Sequence, residues 1–184
     1  MARIDGSLSG TLGFLLGEVS RGRRFSEAVR RAMERGYTEP DPRDDLSGID
    51  VARKALILGR LLGYQGELAS VSLQSLVPPR ARRLALAEFL ARLEEYDEEW
   101  GRRVAQVRAR GRVLRYVARI TRRRITVSLA AVEAGSPFGA LRGTDNQVAF
   151  TSARYRTNPL VITGPGAGPA VTAAGVLNDI LSLA

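Results

Sequence analysis

The chain has 184 residues, a net charge of +9, and ordinary globular content at 45% hydrophobic and 26% charged residues. It contains no Cys and no His, which excludes disulfides, thiolate nucleophiles, zinc–thiolate sites and a Ser-His-Asp triad. One domain, or a domain with a small appendage, fits this length.

A short strand is expected over residues 3–8. Gly10 and Thr11 then open an apolar helix through Val19, and a glycine-bearing helix start offers backbone N–H groups to an anion. Phe25 followed by Ser26 predicts a hydrophobic staple and an N-cap, with a helix ending near Gly36. Residues 36–54 carry five carboxylates, Glu39, Asp41, Asp44, Asp45 and Asp50, and the chain's single lysine, Lys54. Pro40 and Pro42 hold the residues before them out of helical conformation, so residues 37–46 read as a stiff extended loop. Ser47 is the expected N-cap of a largely buried helix over residues 49–63, and Asp50 and Lys54 fall at i and i+4 on one face. That pair fits a solvated ion pair on a capped helix, and it also fits acid–base chemistry. Lys releases a proton near neutral pH when partly buried, whereas Arg does not, and every other cation of the chain is Arg.

Alternation over residues 68–77 predicts a strand, ended by Pro78 and Pro79, and residues 81–110 read as one helix with Trp100 as a packing anchor. After Gly111 the period changes to two. Residues 112–120 and 124–132 read as a hairpin, residues 137–142 as a loop, and residues 147–152 and 160–163 as further strands. A glycine loop over residues 164–168 precedes a final helix over residues 170–183. Helices first and strands mostly later argue for an α+β fold with a mixed sheet. The glycine loop imitates a dinucleotide fingerprint, but the residues after it supply no second strand bearing an acidic residue, so a complete site is not expected there. The arginines at 119 and 122–124, and those at 80, 82 and 83, suggest a polyanion partner. Aromatic platforms are scarce at 6%, which disfavours nucleic acid. No apolar run reaches ~18 residues and the N-terminus is no signal peptide, so no membrane association and a cytoplasmic location are expected.

The stretch Gly-Tyr-Thr-Glu-Pro-Asp-Pro-Arg-Asp-Asp-Leu-Ser-Gly-Ile-Asp-Val-Ala-Arg-Lys at 36–54 resembles the catalytic domain of homoserine dehydrogenase, in the form fused to aspartokinase. Gly-Ser-Leu-Ser-Gly-Thr-Leu-Gly-Phe at 6–14, Gly-Arg-Val-Leu-Arg-Tyr-Val at 111–117 and the stretch at 164–176 support it in order. The resemblance implies NAD- or NADP-dependent interconversion of L-aspartate-4-semialdehyde and L-homoserine, on the way to threonine, methionine and isoleucine. It implies Lys54 as proton donor or acceptor and Asp50 as its partner at the substrate. Glu39 would take the α-ammonium group, with Asp45, Tyr37, Gly10 and Thr11 around the amino-acid end and Gly168 approaching the cofactor; no metal ligands are assigned. Residues 1–163 would be the catalytic and dimerisation domain, and residues 164–184 would pack on a nucleotide-binding domain. That domain is not in the sequence. The family's first glycine-rich turn and alkali-metal site would lie upstream of Met1, the chain alone would bind cofactor poorly, and the domain would act in cis or in trans. A non-enzymatic oligomerisation or regulatory module of the same fold is the competing expectation.

Overall fold

The computed structural model describes residues 2–166 and 168–183. In chain order it contains β1 (Arg3–Ser7), α1 (Gly10–Ser20), α2 (Phe25–Glu34), α3 (Pro42–Ser47), α4 (Ile49–Leu61), β2 (Ser72–Leu73), α5 (Leu86–Ala91), α6 (Asp97–Arg108), β3 (Arg112–Ile120), β4 (Ile125–Glu133), the single turn α7 (Pro137–Ala140), β5 (Asp145–Thr151), β6 (Leu160–Pro165) and α8 (Pro169–Ser182). The strands form one mixed sheet in the order β2-β4-β3-β1-β5-β6. All pairings are antiparallel except β2 with β4. The fold is α+β, as the pattern of elements predicts. Met1, Ala167 and Ala184 lie outside the described residues, so the expected glycine loop is described only in part.

One face of the sheet carries the core. Ile4, Tyr116, Ala118, Ile120, Ile125 and Val127 meet Leu12, Leu15, Leu16, Val51, Ala52 and Ala55 from the helices. Trp100 is an anchor as expected: it is buried and stacks on Phe25 with ring centroids 4.8 Å apart. Ser26 does not cap α2. It is buried in the first turn, and its N–H and hydroxyl both donate to the Asp97 carboxylate, each at 2.7 Å. A carboxylate from a distant helix start thus satisfies the orphan N–H that a local cap would have taken.

Two expected elements break up. The strand over residues 68–77 shrinks to Ser72–Leu73, because a 3-10 turn precedes it and the Leu76 N–H bonds Leu46 O of α3 at 2.8 Å instead of the sheet. The helix over residues 81–110 divides into α5, a 3-10 turn at Leu93–Tyr96, and α6. Both Leu93 and Tyr96, three residues apart at the ends of this turn, are buried.

The expected extended loop also differs: residues 42–47 are helical. Pro42 occupies the first turn, where its missing N–H costs nothing, and Asp41 is the N-cap, accepting the Arg43 N–H at 2.9 Å. Ser47 ends α3 rather than starting α4. Its hydroxyl donates to Asp44 O and accepts the Ile49 N–H. Between the two helices Gly48 adopts φ +75°, and a Cβ there would overlap the buried Tyr116 hydroxyl. That hydroxyl donates to Gln74 O at 2.6 Å, and burial pushes the phenol above its ordinary pKa.

Gly48→Ala is therefore expected to cost about 2–4 kcal/mol, from a left-handed backbone plus overlap. Gly111→Ala, at φ +66° with open space around it, should cost only about 1 kcal/mol. Urea denaturation of the two variants tests this, and equal losses would show that the Tyr116 contact contributes nothing.

Candidate active site

The loops and helix ends beside β1 enclose an open cleft of about 510 Å³. Each of its walls has a local cause. The β1–α1 turn contributes Gly10 and Thr11; Ser9 caps α1 by accepting the Leu12 N–H at 3.2 Å. The α2–α3 connection contributes Tyr37 and Glu39. It leaves α2 through Gly36 at φ +66°, with the Gly36 N–H on Met33 O and the Tyr37 N–H on Ala32 O, a Schellman closure. The Thr11 hydroxyl donates to Tyr37 O, and the Tyr37 ring meets Phe14 edge-on with centroids 5.1 Å apart. Helices α3 and α4 supply Asp45, Asp50 and Lys54, and the residues before α8 supply Gly168. All eight site residues expected from the sequence thus line the same cleft.

The cleft sets Lys54 beside Asp50. The lysine ammonium lies 2.8 Å from Asp50 Oδ2 and donates to Leu8 O at 3.3 Å. An ammonium has three N–H donors, so one remains for a ligand in the cleft. The lysine side chain is 45% exposed, so it is open to a substrate while its two protein partners fix its head. Asp45 works through the backbone: its Oδ2 accepts the Glu39 N–H at 2.9 Å, which sets where the Glu39 side chain starts. Behind this, Arg43 holds the acidic segment to the body of the fold. Its guanidinium bonds Asp41 (Nε to Oδ1, 2.9 Å), donates to Ala81 O and Leu84 O, and lies over the Phe89 ring.

Several lining residues were not anticipated: Ser9, Arg35, Thr38, Thr144, Asn146 and Gly166. Thr144 packs where a Cβ on Gly10 would meet its carbonyl oxygen at 2.8 Å, which explains the glycine at the helix start. Its loop is fastened from below by Arg115. This buried guanidinium, 5% exposed, donates to Leu114 O, Phe138 O, Gly139 O and Leu141 O, and burial lowers its pKa. No sequence period marks such an anchor, since its acceptors are main-chain atoms. Asn146 stands against Gly166, where any Cβ would overlap its carboxamide; its Oδ1 is buried with no donor among the described residues.

These last features test the fit of a nicotinamide cofactor. The side-chain-free surface at Gly166 and Gly168, and the orphaned Asn146 acceptor beside it, fit one end of such a molecule against the cleft. The described residues do not build the remainder: β6 pairs antiparallel with β5, and the only parallel pairing is the two-residue β2 with β4. The same residues hold no group of three or more metal-ligating side chains.

A family model described as homoserine dehydrogenase matches residues 1–181. A bifunctional aspartokinase/homoserine dehydrogenase 2 of Zea mays is 46% identical over 99% of the chain, which spans 20% of that relative. The homoserine dehydrogenase of Saccharomyces cerevisiae is 40% identical over 99% of the chain and 53% of its own length. A Candida auris protein whose crystal structure is described as of unknown function is 41% identical and superposes with a TM-score of 0.92, over 98% of this chain and 52% of that one. The chain thus spans between a fifth and a half of these proteins.

The Asp41–Arg43 anchor carries a pH dependence. The Arg43 side-chain hydrogen bond holds the Asp41 carboxyl below its ordinary value of 3.8. A carboxylate depressed on folding contributes its full stability above the unfolded value and loses it as pH falls through the folded one. The unfolding free energy of the wild type, from urea titration, should thus exceed that of Asp41→Asn by a constant margin of about 1 kcal/mol or less above about pH 5. The margin should close at lower pH; one that persists there would show that the charge of Asp41 is not its source.

Proposed function

The chain belongs to the homoserine dehydrogenase family, and on that premise we propose that it forms the substrate-binding and proton-transferring half of an enzyme interconverting L-aspartate-4-semialdehyde and L-homoserine. The observation that carries the reading is the Lys54 ammonium, 2.8 Å from Asp50 and donating to Leu8 O, in an open cleft that Glu39 also lines. Reduction of an aldehyde needs a hydride at carbon and a proton at oxygen. NAD or NADP, when bound, supplies the hydride. Lys54 supplies the proton to the oxygen in reduction and removes it in oxidation, acting as general acid and base. Asp50 orients the ammonium and hydrogen-bonds the substrate hydroxyl. Glu39 matches the α-ammonium group of the amino acid, Asp45 keeps Glu39 in place through its backbone, and Tyr37, Gly10 and Thr11 frame the same end. Gly168 lets the cofactor approach without a side chain in the way.

We further propose that residues 164–184 pack on a nucleotide-binding domain, supplied in cis or in trans, that completes the cofactor site. Support comes from α8, whose Val171, Val176, Leu177, Ile180 and Leu181 are all at least 40% exposed. Apolar surface of this extent is seldom left to water. The chain also pairs with a second copy through the sheet surface near β3 and β4, as its relatives' family is expected to do, and it works in the cytoplasm in amino-acid biosynthesis. Sedimentation at micromolar concentration should give a dimer; a stable monomer would count against the pairing.

Lys54→Arg tests the chemistry in the chain joined to a homologous nucleotide-binding domain, since the chain alone is expected to oxidise homoserine near background. Arg keeps the charge but does not exchange a proton near neutral pH. The expected loss is ~10²–10⁴-fold in kcat, with little change in melting temperature. Near-wild-type turnover would reduce Lys54 and Asp50 to a surface ion pair.

A further inference from the structure

The cleft contains one cation that has no ion-pair partner among the described residues. Its lining carries three carboxylates, Glu39, Asp45 and Asp50, and two cations, Lys54 and Arg35. Lys54 is engaged by Asp50. Arg35 makes no ion pair among the described residues; its one side-chain contact of note is the face of Phe14, 5.3 Å from guanidinium carbon to ring centroid. Stacking on an aromatic face orients a guanidinium without using its N–H fork, so the donors stay free.

The backbone fixes where that fork is presented. Arg35 is the C-cap of α2, immediately before Gly36 of the Schellman closure. Arg35 and Tyr37 therefore leave the chain on either side of one left-handed residue, and both touch Phe14. The same cleft holds the start of α1. There Ser9 takes the Leu12 N–H and Ser9 O takes the Gly13 N–H, which leaves the Gly10 and Thr11 N–H groups without helical partners. A positive fork and two free amides thus line the same cleft as Glu39.

We propose that Arg35 is a specificity residue: its guanidinium, together with the amides of Gly10 and Thr11, takes the α-carboxylate of the amino-acid substrate. The assignment rests on the reading of the site as one for homoserine. It explains how a cleft with three carboxylates admits an anionic group at all. Glu39 alone would accept any primary ammonium compound, and Arg35 restricts it to zwitterions.

Calorimetric titration of the chain with L-homoserine and with L-homoserine amide tests this, at low salt and a pH where both ammonium groups are charged. Arg35→Gln should weaken binding of homoserine about tenfold, the effect of losing one charge-assisted contact, and leave the amide within about twofold of the wild type. Arg35→Lys should recover part of the loss, because it restores charge without the fork. Unaltered homoserine affinity in Arg35→Gln overturns the proposal. So does an equal loss for both ligands, which would mean that Arg35 only shapes the loop, and so does a selective loss of NADP+ binding, which would assign the fork to a phosphate. A wild-type chain that binds neither amino-acid ligand overturns the homoserine reading itself and the proposal with it. Thermal melts matched to the wild type exclude misfolding of the variants.

Discussion

The structure turns on the place of a single ammonium group. Lys54 is useful only if α4 runs close enough to the β1–α1 turn for its head to reach Leu8 O, and only if Asp50 stays one helical turn behind it. The first condition is met by the core between α4 and the sheet, where Val51, Ala52 and Ala55 are small enough to bring the helix down onto β3 and β4. Gly59 continues this close approach, since a Cβ there would press on Ile125. The second condition is local and comes free with the helix period. Between them they turn a flexible four-carbon side chain into a directed donor.

The carboxylates depend on a different device. Asp45 and Asp50 belong to two successive helices, α3 and α4. Gly48 bends the chain between them, and the Tyr116 hydroxyl fills the space that a side chain would need. Tyr116 in turn is held by Gln74, whose main chain bonds Val127 O and whose side chain takes the Leu129 N–H. One tyrosine therefore links the sheet, its shortest strand and the acidic segment of the cleft. Arg43 performs a similar service from the other side, through Asp41 and two carbonyls before α5.

Much of this was legible in the sequence, and what was not has physical reasons. The hairpin of β3 and β4 was readable because nine-residue alternation has few other solutions. Lys54 with Asp50 was readable because i and i+4 residues share a face in any helix. The prolines at 40 and 42 misled in part: a proline that ends helices also starts them, and only the Asp41 cap decides which. Ser26 looked like a cap because its true partner, Asp97, is 71 residues away. Arg115, Asn146 and Thr144 left no mark at all. Their roles come from main-chain acceptors and close packing across strands, which no local pattern encodes. Arg35 hid in an arginine-rich composition; its place in the lining of the cleft, which needs coordinates, sets it apart.

The two margins of the sheet are unlike. At one, β2 is two residues long and is shut off by a 3-10 turn before it and prolines after it. At the other, β6 runs six residues with Leu160 and Ile162 exposed, and among the described residues no strand pairs its outer main-chain groups. An open strand of this kind is a template for whatever extended segment meets it first. With a single open margin per copy, strand-onto-strand pairing uses up that margin on both partners at the first contact, so the chain handled by itself at high concentration is set to pair there and not to polymerise.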